Sequence, residues 1–176
     1  MVKTIFEGTR GVFSVWFYLL NTIICCIPIF IVALIRLILP FKATQNLCRQ
    51  ILTAIANFWI GVNKLNQKLL NGIHWDVEGI ENLDPKGWYM VVANHQSWVD
   101  ILVLQYVFHR KIPFLKFFLK KELFWFPFLG QAWWALDFPF MKRYSRQYLK
   151  KHPHLIGKDL DITREACEKF RNLPVS

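Results

Sequence analysis

The sequence predicts an α/β domain carried behind an N-terminal membrane-anchoring helix or helical hairpin. Three features carry that expectation. An uncharged apolar run extends from Gly11 to Ile35. Beyond Gly72, β-prone stretches alternate with helix-period stretches, the pattern of an α/β domain. The composition is 54% hydrophobic, with 8 Trp and 16 Phe among 176 residues. That is too apolar for an ordinary soluble domain, and the length suits one domain plus an anchor.

The apolar run reads GVFSVWFYLLNTIICCIPIFIVALI. A helix needs about 20 apolar residues to cross the hydrocarbon core, so this run is long enough. Its length and the lack of a small-residue cleavage site argue against a removed signal peptide. Three arrangements stay open: a single span, a hairpin bent at Pro28 that enters one leaflet and returns, or a buried core helix. The second arm of a hairpin would be Ile29–Leu39 or Ile51–Val62. Lys3 and Arg10 precede the run, whereas Arg36, Lys42, Arg49, Lys64 and Lys68 follow it. The positive-inside rule then places the C-terminal domain in the cytoplasm, at the inner or plasma membrane in a bacterium.

The expected divisions are an anchor over 1–42, a linking amphipathic helix over 43–71 and the catalytic domain over 72–176. Pro40 ends the anchor. In the linking helix Leu47, Ile51, Ile55, Phe58, Val62 and Leu65 recur at threes and fours, which marks one apolar face. His74–Glu78 alternates and reads as a strand. Asp-Pro and Lys-Gly turn signals lie between Asn82 and Gly87. Trp88–Ala93 is an almost continuous β-prone run, expected to be a buried strand. Ser97 is a good N-cap for a helix from Trp98 to Phe108. Ile112–Leu119 and Phe138–Lys142 are further strand candidates, separated by a mixed stretch around Pro127 and Gly130. The last expected element is an amphipathic helix over Asp161–Leu173, with Ile162, Ala166, Phe170 and Leu173 on one face.

His95 falls where a strand ends and a helix begins, the edge at which open α/β sheets carry their sites. Asp100 follows five residues later, on the first helical turn. If the turn folds back, the carboxylate reaches one imidazole nitrogen and leaves the other as a base. No Ser or Cys nucleophile stands nearby, so the pair suits direct transfer: a substrate hydroxyl, deprotonated by the base, attacks an activated acyl group. A plainer reading competes. Ser97-x-x-Asp100 is also a capping-box variant, with Asp100 satisfying backbone donors and His95 a loop histidine.

The wider run Asn94-His95-Gln96-Ser97-Trp98-Val99-Asp100 resembles the NH-x4-D block of the glycerolipid acyltransferases, a family that includes the lysophosphatidic acid acyltransferases. The likeness continues through Lys120-Lys121-Glu122-Leu123 and Pro127-Phe128-Leu129-Gly130. It resumes at Phe140-Met141-Lys142-Arg143, which is similar to the family's F-I-x-R block. The resemblance implies that His95 is the general base and Asp100 its partner. It implies substrate contacts at Asn94, Gly130, Lys142 and Arg143, with Arg143 taking the acceptor's phosphate and Gly130 shaping the pocket. It also implies acyl-CoA or acyl carrier protein as co-substrate and a lysophospholipid acceptor, in phospholipid biosynthesis. The family's E-G-T-R block would follow the 161–173 helix, and a proline-bearing block would follow that; neither lies there in the 176 residues. Phe6-Glu7-Gly8-Thr9-Arg10 spells the E-G-T-R block ahead of the anchor, where it reads as a polar cap. The expectation is therefore the first half of such an enzyme, the alternative being a truncated, non-catalytic membrane-binding remnant.

Between Arg110 and Lys151, Lys and Arg side chains are interleaved with Phe and Trp, and only Glu122 and Asp137 oppose the positive charge. Such a surface suits anionic lipid headgroups, with aromatics at the interface. A solvated basic face over an aromatic core is the simpler alternative, and the apolar anchor argues against nucleic acid. Cys25, Cys26, Cys48 and Cys167 form no CxxC or CxxH spacing and read as reduced, inert thiols. Ligand-type residues are scattered, so neither a metal nor a bound cofactor is expected.

Overall fold

The computed structural model describes residues 2–71, 75–142, 144, 146–155 and 157–171. The chain forms two compact units, one ending at Leu115 and the next beginning at Lys116.

The first unit begins with α1, Val2–Ile38, which continues through Pro28. The hairpin turning at Pro28, one of the three arrangements left open, is therefore absent. Proline removes one helix hydrogen bond, and apolar helices tolerate that loss where neighbouring groups re-satisfy the backbone. The chain turns later, at Leu39–Phe41, into α2, Lys42–Asn66, which continues as a π-helical turn over Gln67–Asn71. Gly8–Ile38 is long and apolar enough to cross a membrane, with an 18-residue window of mean hydropathy 2.5 of which only 22% is buried. A core helix of a soluble domain would be mostly covered.

The seam between α1 and α2 uses a different face of α2 from the stripe of Leu47, Ile51, Phe58 and Leu65. Cys48, Leu52, Ala56, Ile60, Asn63 and Asn66 are the buried side chains, and they meet Ser14, Asn21, Cys25, Cys26, Ile29 and Ala33 of α1. Leu47, Ile51, Phe58 and Leu65, on the apolar stripe, are exposed. Polar groups set the register. Asn21 Nδ2 donates to Asn63 Oδ1 at 2.8 Å and to the Trp59 carbonyl at 3.1 Å. Asn66 Nδ2 donates to Ser14 Oγ at 3.1 Å and to the Ser14 carbonyl at 3.2 Å. At the turn, Arg36 Nε donates to Gln45 Oε1 at 2.9 Å. At the open end, the Arg10 guanidinium donates to the Leu70 carbonyl. The Phe6–Arg10 run is thus part of α1, and Arg10 ties it to the far end of the hairpin.

A third helix, α3, Trp98–Phe108, completes the regular part of this unit. Its C-terminal end is braced on α2. His109 Nε2 lies 3.0 Å from the Asn57 carbonyl. Lys64 Nζ sits 4.6 Å above the Tyr106 ring, and Trp75 packs against the same ring at 6.2 Å.

The α/β expectation is met only in part, because the described chain is mostly helical. The described part of His74–Glu78 is irregular, and so is Trp88–Ala93. The buried strand expected at Trp88–Ala93 is corrected outright: Met90 and Val92 are 86% and 83% exposed. Alternation and β-propensity describe a chain ready to pair; a strand exists only when a neighbour supplies the ladder.

The second unit holds the sheet that is present, a parallel pair of β1, Leu119–Lys120, and β2, Phe140–Met141. These are the ends of the two later strand candidates. Between them run a 3₁₀ turn over Lys121–Trp125 and α4, Leu129–Ala135, a βαβ unit in miniature. Helices α5, Arg146–Lys151, and α6, Lys158–Arg171, follow. On α6, Ala166 is buried and Ile162 and Phe170 are half-buried, as the periodicity predicts; Leu173 lies outside the described residues. Phe117 stacks on Phe138 at 6.3 Å, Lys116 Nζ lies 4.9 Å over the Phe170 ring, and Lys169 pairs with the nearly buried Asp137 at 2.8 Å.

Candidate active site

His95 and Asp100 flank the start of α3. Ser97 is the N-cap, extended at φ −150° and ψ 165°, and Asp100 is the third residue of the helix. A helix start leaves backbone N–H groups without partners. Asp100 Oδ2 accepts two from the incoming turn, Gln96 N–H at 2.6 Å and Ser97 N–H at 2.7 Å. The same oxygen lies 3.3 Å from His95 Nδ1. That is longer than the usual ~2.9 Å N–H···O bond, but close enough for a charge pair once the ring is protonated. The capping role and the pairing with His95 are therefore not alternatives: the cap aims the carboxylate at the ring.

Those backbone donors hold the Asp100 carboxyl below the usual carboxylate range, with Ser97 N–H the main cause, Gln96 N–H next and the His95 ring a smaller one. Asp100 therefore stays ionised across neutral pH. His95 is 58% exposed. With Nδ1 turned toward the carboxylate, Nε2 is the nitrogen left for a substrate. An exposed imidazole beside a fixed anion is chemically equipped to take a proton and to keep the resulting imidazolium close to a negative partner.

The other site candidates fall in different places. Asn94 is exposed in the loop just before His95. Gly130 and Lys142 belong to the second unit. Gly130 is buried on α4, and a Cβ there would stand 2.0 Å from the Phe124 carbonyl oxygen and 2.5 Å from that of Leu123. Packing alone demands glycine at that position. Lys142 is exposed, with Nζ 5.2 Å over the Tyr144 ring. Arg143 lies outside the described residues. Among the described residues no three His, Cys, Asp or Glu side chains gather as a metal site.

Sequence reasoning missed the brace behind the site, the contacts of Tyr106 and His109 with α2. Burial, together with the nearby Arg110 and Lys64 charges, pushes the His109 imidazole down despite its backbone partner, so the brace is made by a neutral ring. It also missed the polar seam of the hairpin. Ser14 and Asn21 stand seven residues apart inside an apolar run, which places them on one helix face.

The chain belongs to the acyltransferase family, whose model matches residues 74–161. It is 36% identical over 80 residues to the 1-acyl-sn-glycerol-3-phosphate acyltransferase alpha of Mus musculus, and equally so to those of Homo sapiens and Bos taurus. The matched stretch is 45% of this chain but only 26–27% of those relatives' length. No solved structure matches it significantly.

Proposed function

We propose that this protein is a membrane-bound O-acyltransferase that moves a fatty acyl group from acyl-CoA or acyl carrier protein to a lysophospholipid such as 1-acylglycerol-3-phosphate. The observation that carries the reading is the approach of His95 Nδ1 to an Asp100 carboxylate already anchored by two backbone N–H groups. The likeness to the mammalian 1-acylglycerol-3-phosphate enzymes supports the acceptor class.

The chemistry follows from those groups. His95 Nε2 removes the proton from the acceptor hydroxyl as its oxygen attacks the thioester carbonyl carbon. Asp100 stabilises the imidazolium that forms. The tetrahedral intermediate collapses, the C–S bond breaks, and the imidazolium returns its proton to the departing thiolate. The products are the ester and a free thiol, with His95 neutral again. The family resemblance of their motifs assigns Arg143 and Lys142 to the acceptor's phosphate and Asn94 and Gly130 to substrate binding.

The hairpin anchors the enzyme, and because Arg10 clasps Leu70 at its open end, the chain leaves it toward His95 at the end where α1 begins. Its seam of small and paired polar side chains supports a lipid setting. Without a hydrophobic drive between helices in lipid, small and polar residues line the interface and large apolar ones face the chains. That is the arrangement of Ala56, Asn63 and Cys25 inside against Leu47 and Phe58 outside.

The test is acyl-donor consumption with lysophosphatidic acid as acceptor. His95→Ala should lower turnover by about 10²–10⁴-fold, the usual contribution of a general base. Asp100→Asn should be severe as well, since it keeps an oxygen for the cap but removes the charge facing the imidazolium. Arg143→Ala should raise the acceptor KM, by on the order of 1.5–3 kcal/mol of lost binding for a charged hydrogen bond. Normal turnover in both His95→Ala and Asp100→Asn would overturn the catalytic pair.

A further inference from the structure

The second unit contains a strained turn that points apolar rings outward. Phe128 has φ 61° and ψ −50°, and Leu129 N–H donates to the Pro127 carbonyl at 2.7 Å. A three-residue turn closed at positive φ is the strained form of the γ-turn, and a bulky aromatic is a poor occupant of it. Strain of this kind persists only where the surroundings over-determine it. Here they do. Gly130 N–H bonds the Phe126 carbonyl at 2.9 Å, and the Gly130 Cα lies so close to the Phe124 and Leu123 carbonyls that no side chain fits.

The turn presents Trp125, Phe126 and Phe128 at 78%, 51% and 58% exposure. Trp125 is not loose: it meets Phe124 edge-on at 5.3 Å, and Phe124 meets Phe140 of β2 edge-on at 5.8 Å. Lys120 and Lys121 are exposed just ahead of it. Soluble surfaces seldom keep adjacent large aromatics uncovered without a partner. A rigid aromatic turn beside lysines matches the bilayer interface, where Trp favours the headgroup level and basic side chains attract anionic lipid. The charge is complementary, since Glu122 and Asp137 are the only acids from Arg110 to Lys151, and Asp137 is paired with Lys169.

We propose that the Trp125–Phe128 turn is a second membrane contact of this protein, seated in the interface of an anionic bilayer and separate from the α1–α2 hairpin. The contact stands apart from the acyl-transfer reading, because a lipid-seated turn requires no catalysis.

The experiment uses the full chain in unilamellar vesicles of phosphatidylcholine with phosphatidylglycerol. Cys25, Cys26 and Cys48 are buried and Cys167 is exposed, so Trp125→Cys in a Cys167→Ser background takes one environment-sensitive label. Glu165→Cys, exposed on α6, is the control site. Spin-labelled lipid should quench the label at 125 severalfold more than the label at 165, and Lys120→Glu with Lys121→Glu should weaken that quenching. A label at 125 as wet as the one at 165 would overturn the proposal. A blue-shifted label that lipid does not quench would overturn it too, by showing a protein partner or a second copy over the turn. Trp125→Phe gives an independent check that leaves the turn aromatic: brominated lipid should quench less of the total tryptophan emission in this variant than in the parent. Equal quenching would again overturn the contact.

Discussion

The α1–α2 hairpin and the unit that begins at Lys116 treat their polar side chains differently. In the hairpin, Asn21, Asn63 and Asn66 are inside while Leu47, Phe58 and Leu65 are outside. In the second unit, Ala132, Leu136 and Phe138 are inside while Lys120, Lys150 and Lys151 are outside. The difference follows from what each surface meets. Water drives apolar area inward, whereas lipid is indifferent to Leu and penalises an unpaired amide, so the polar groups turn to each other. The Trp125–Phe128 turn departs from that sorting by grouping three exposed aromatic side chains, which is why it reads as a contact with lipid.

The strongest way to break the comparison is at the glycines. Gly130→Ala should cost about 3 kcal/mol or more, the upper range for overpacking, because the new methyl meets backbone oxygens that cannot swing aside. Thermal unfolding in detergent, followed by near-UV circular dichroism, would register the loss of aromatic packing. An unchanged melt would mean that the second unit is not close-packed there.

Next comes Phe58→Lys, on the outward face of α2. If that face meets lipid, the lysine should oppose insertion by about 2.5–3.5 kcal/mol near mid-bilayer. If it meets water, a surface change should stay within about 0.5 kcal/mol. The fraction resisting carbonate extraction separates the two. The parent protein should stay in the membrane through high salt and carbonate, because apolar burial is not screened by ions.

Gly61→Ala should be milder. Its Cβ would stand 3.3 Å from His109 Cε1, a side chain that can yield, and alanine gains up to about 1 kcal/mol of helix propensity over glycine. The net change should stay within about 1 kcal/mol either way, in contrast to Gly130→Ala under the same melt. Smaller still is the pH effect at the same contact. The His109 pKa is lowered in the fold, so the unfolded chain takes up the proton first. Stability is then full above the unfolded value of about 6.5 and declines as pH falls through it. His109→Gln should flatten that decline, measured as hydrogen exchange of α3 amides from pH 8 to pH 5.

What could be read from residue order was local. The span of α1, the cap at Ser97 and the His95–Asp100 approach all lie within a few turns of chain, where spacing and capping chemistry dictate geometry. The apolar stripe of α2 was equally legible, but its direction was not: Leu47, Ile51 and Phe58 mark a face without saying whether protein or lipid covers it. Nor does Trp88–Ala93 announce whether it is paired, since β-propensity carries no information about a partner.

Gly130 and Phe128 divide the same way. Their place in a mixed aromatic and aliphatic stretch around Pro127 was visible in the sequence. That a methyl at 130 would strike the Phe124 carbonyl, and that the Phe128 ring is forced outward at positive φ, was not. Those facts depend on how α4 seats against the preceding 3₁₀ turn. Periodicity and turn chemistry act along the chain and are written in it; solvent, partner and close approach act across the chain and exist only once it is folded.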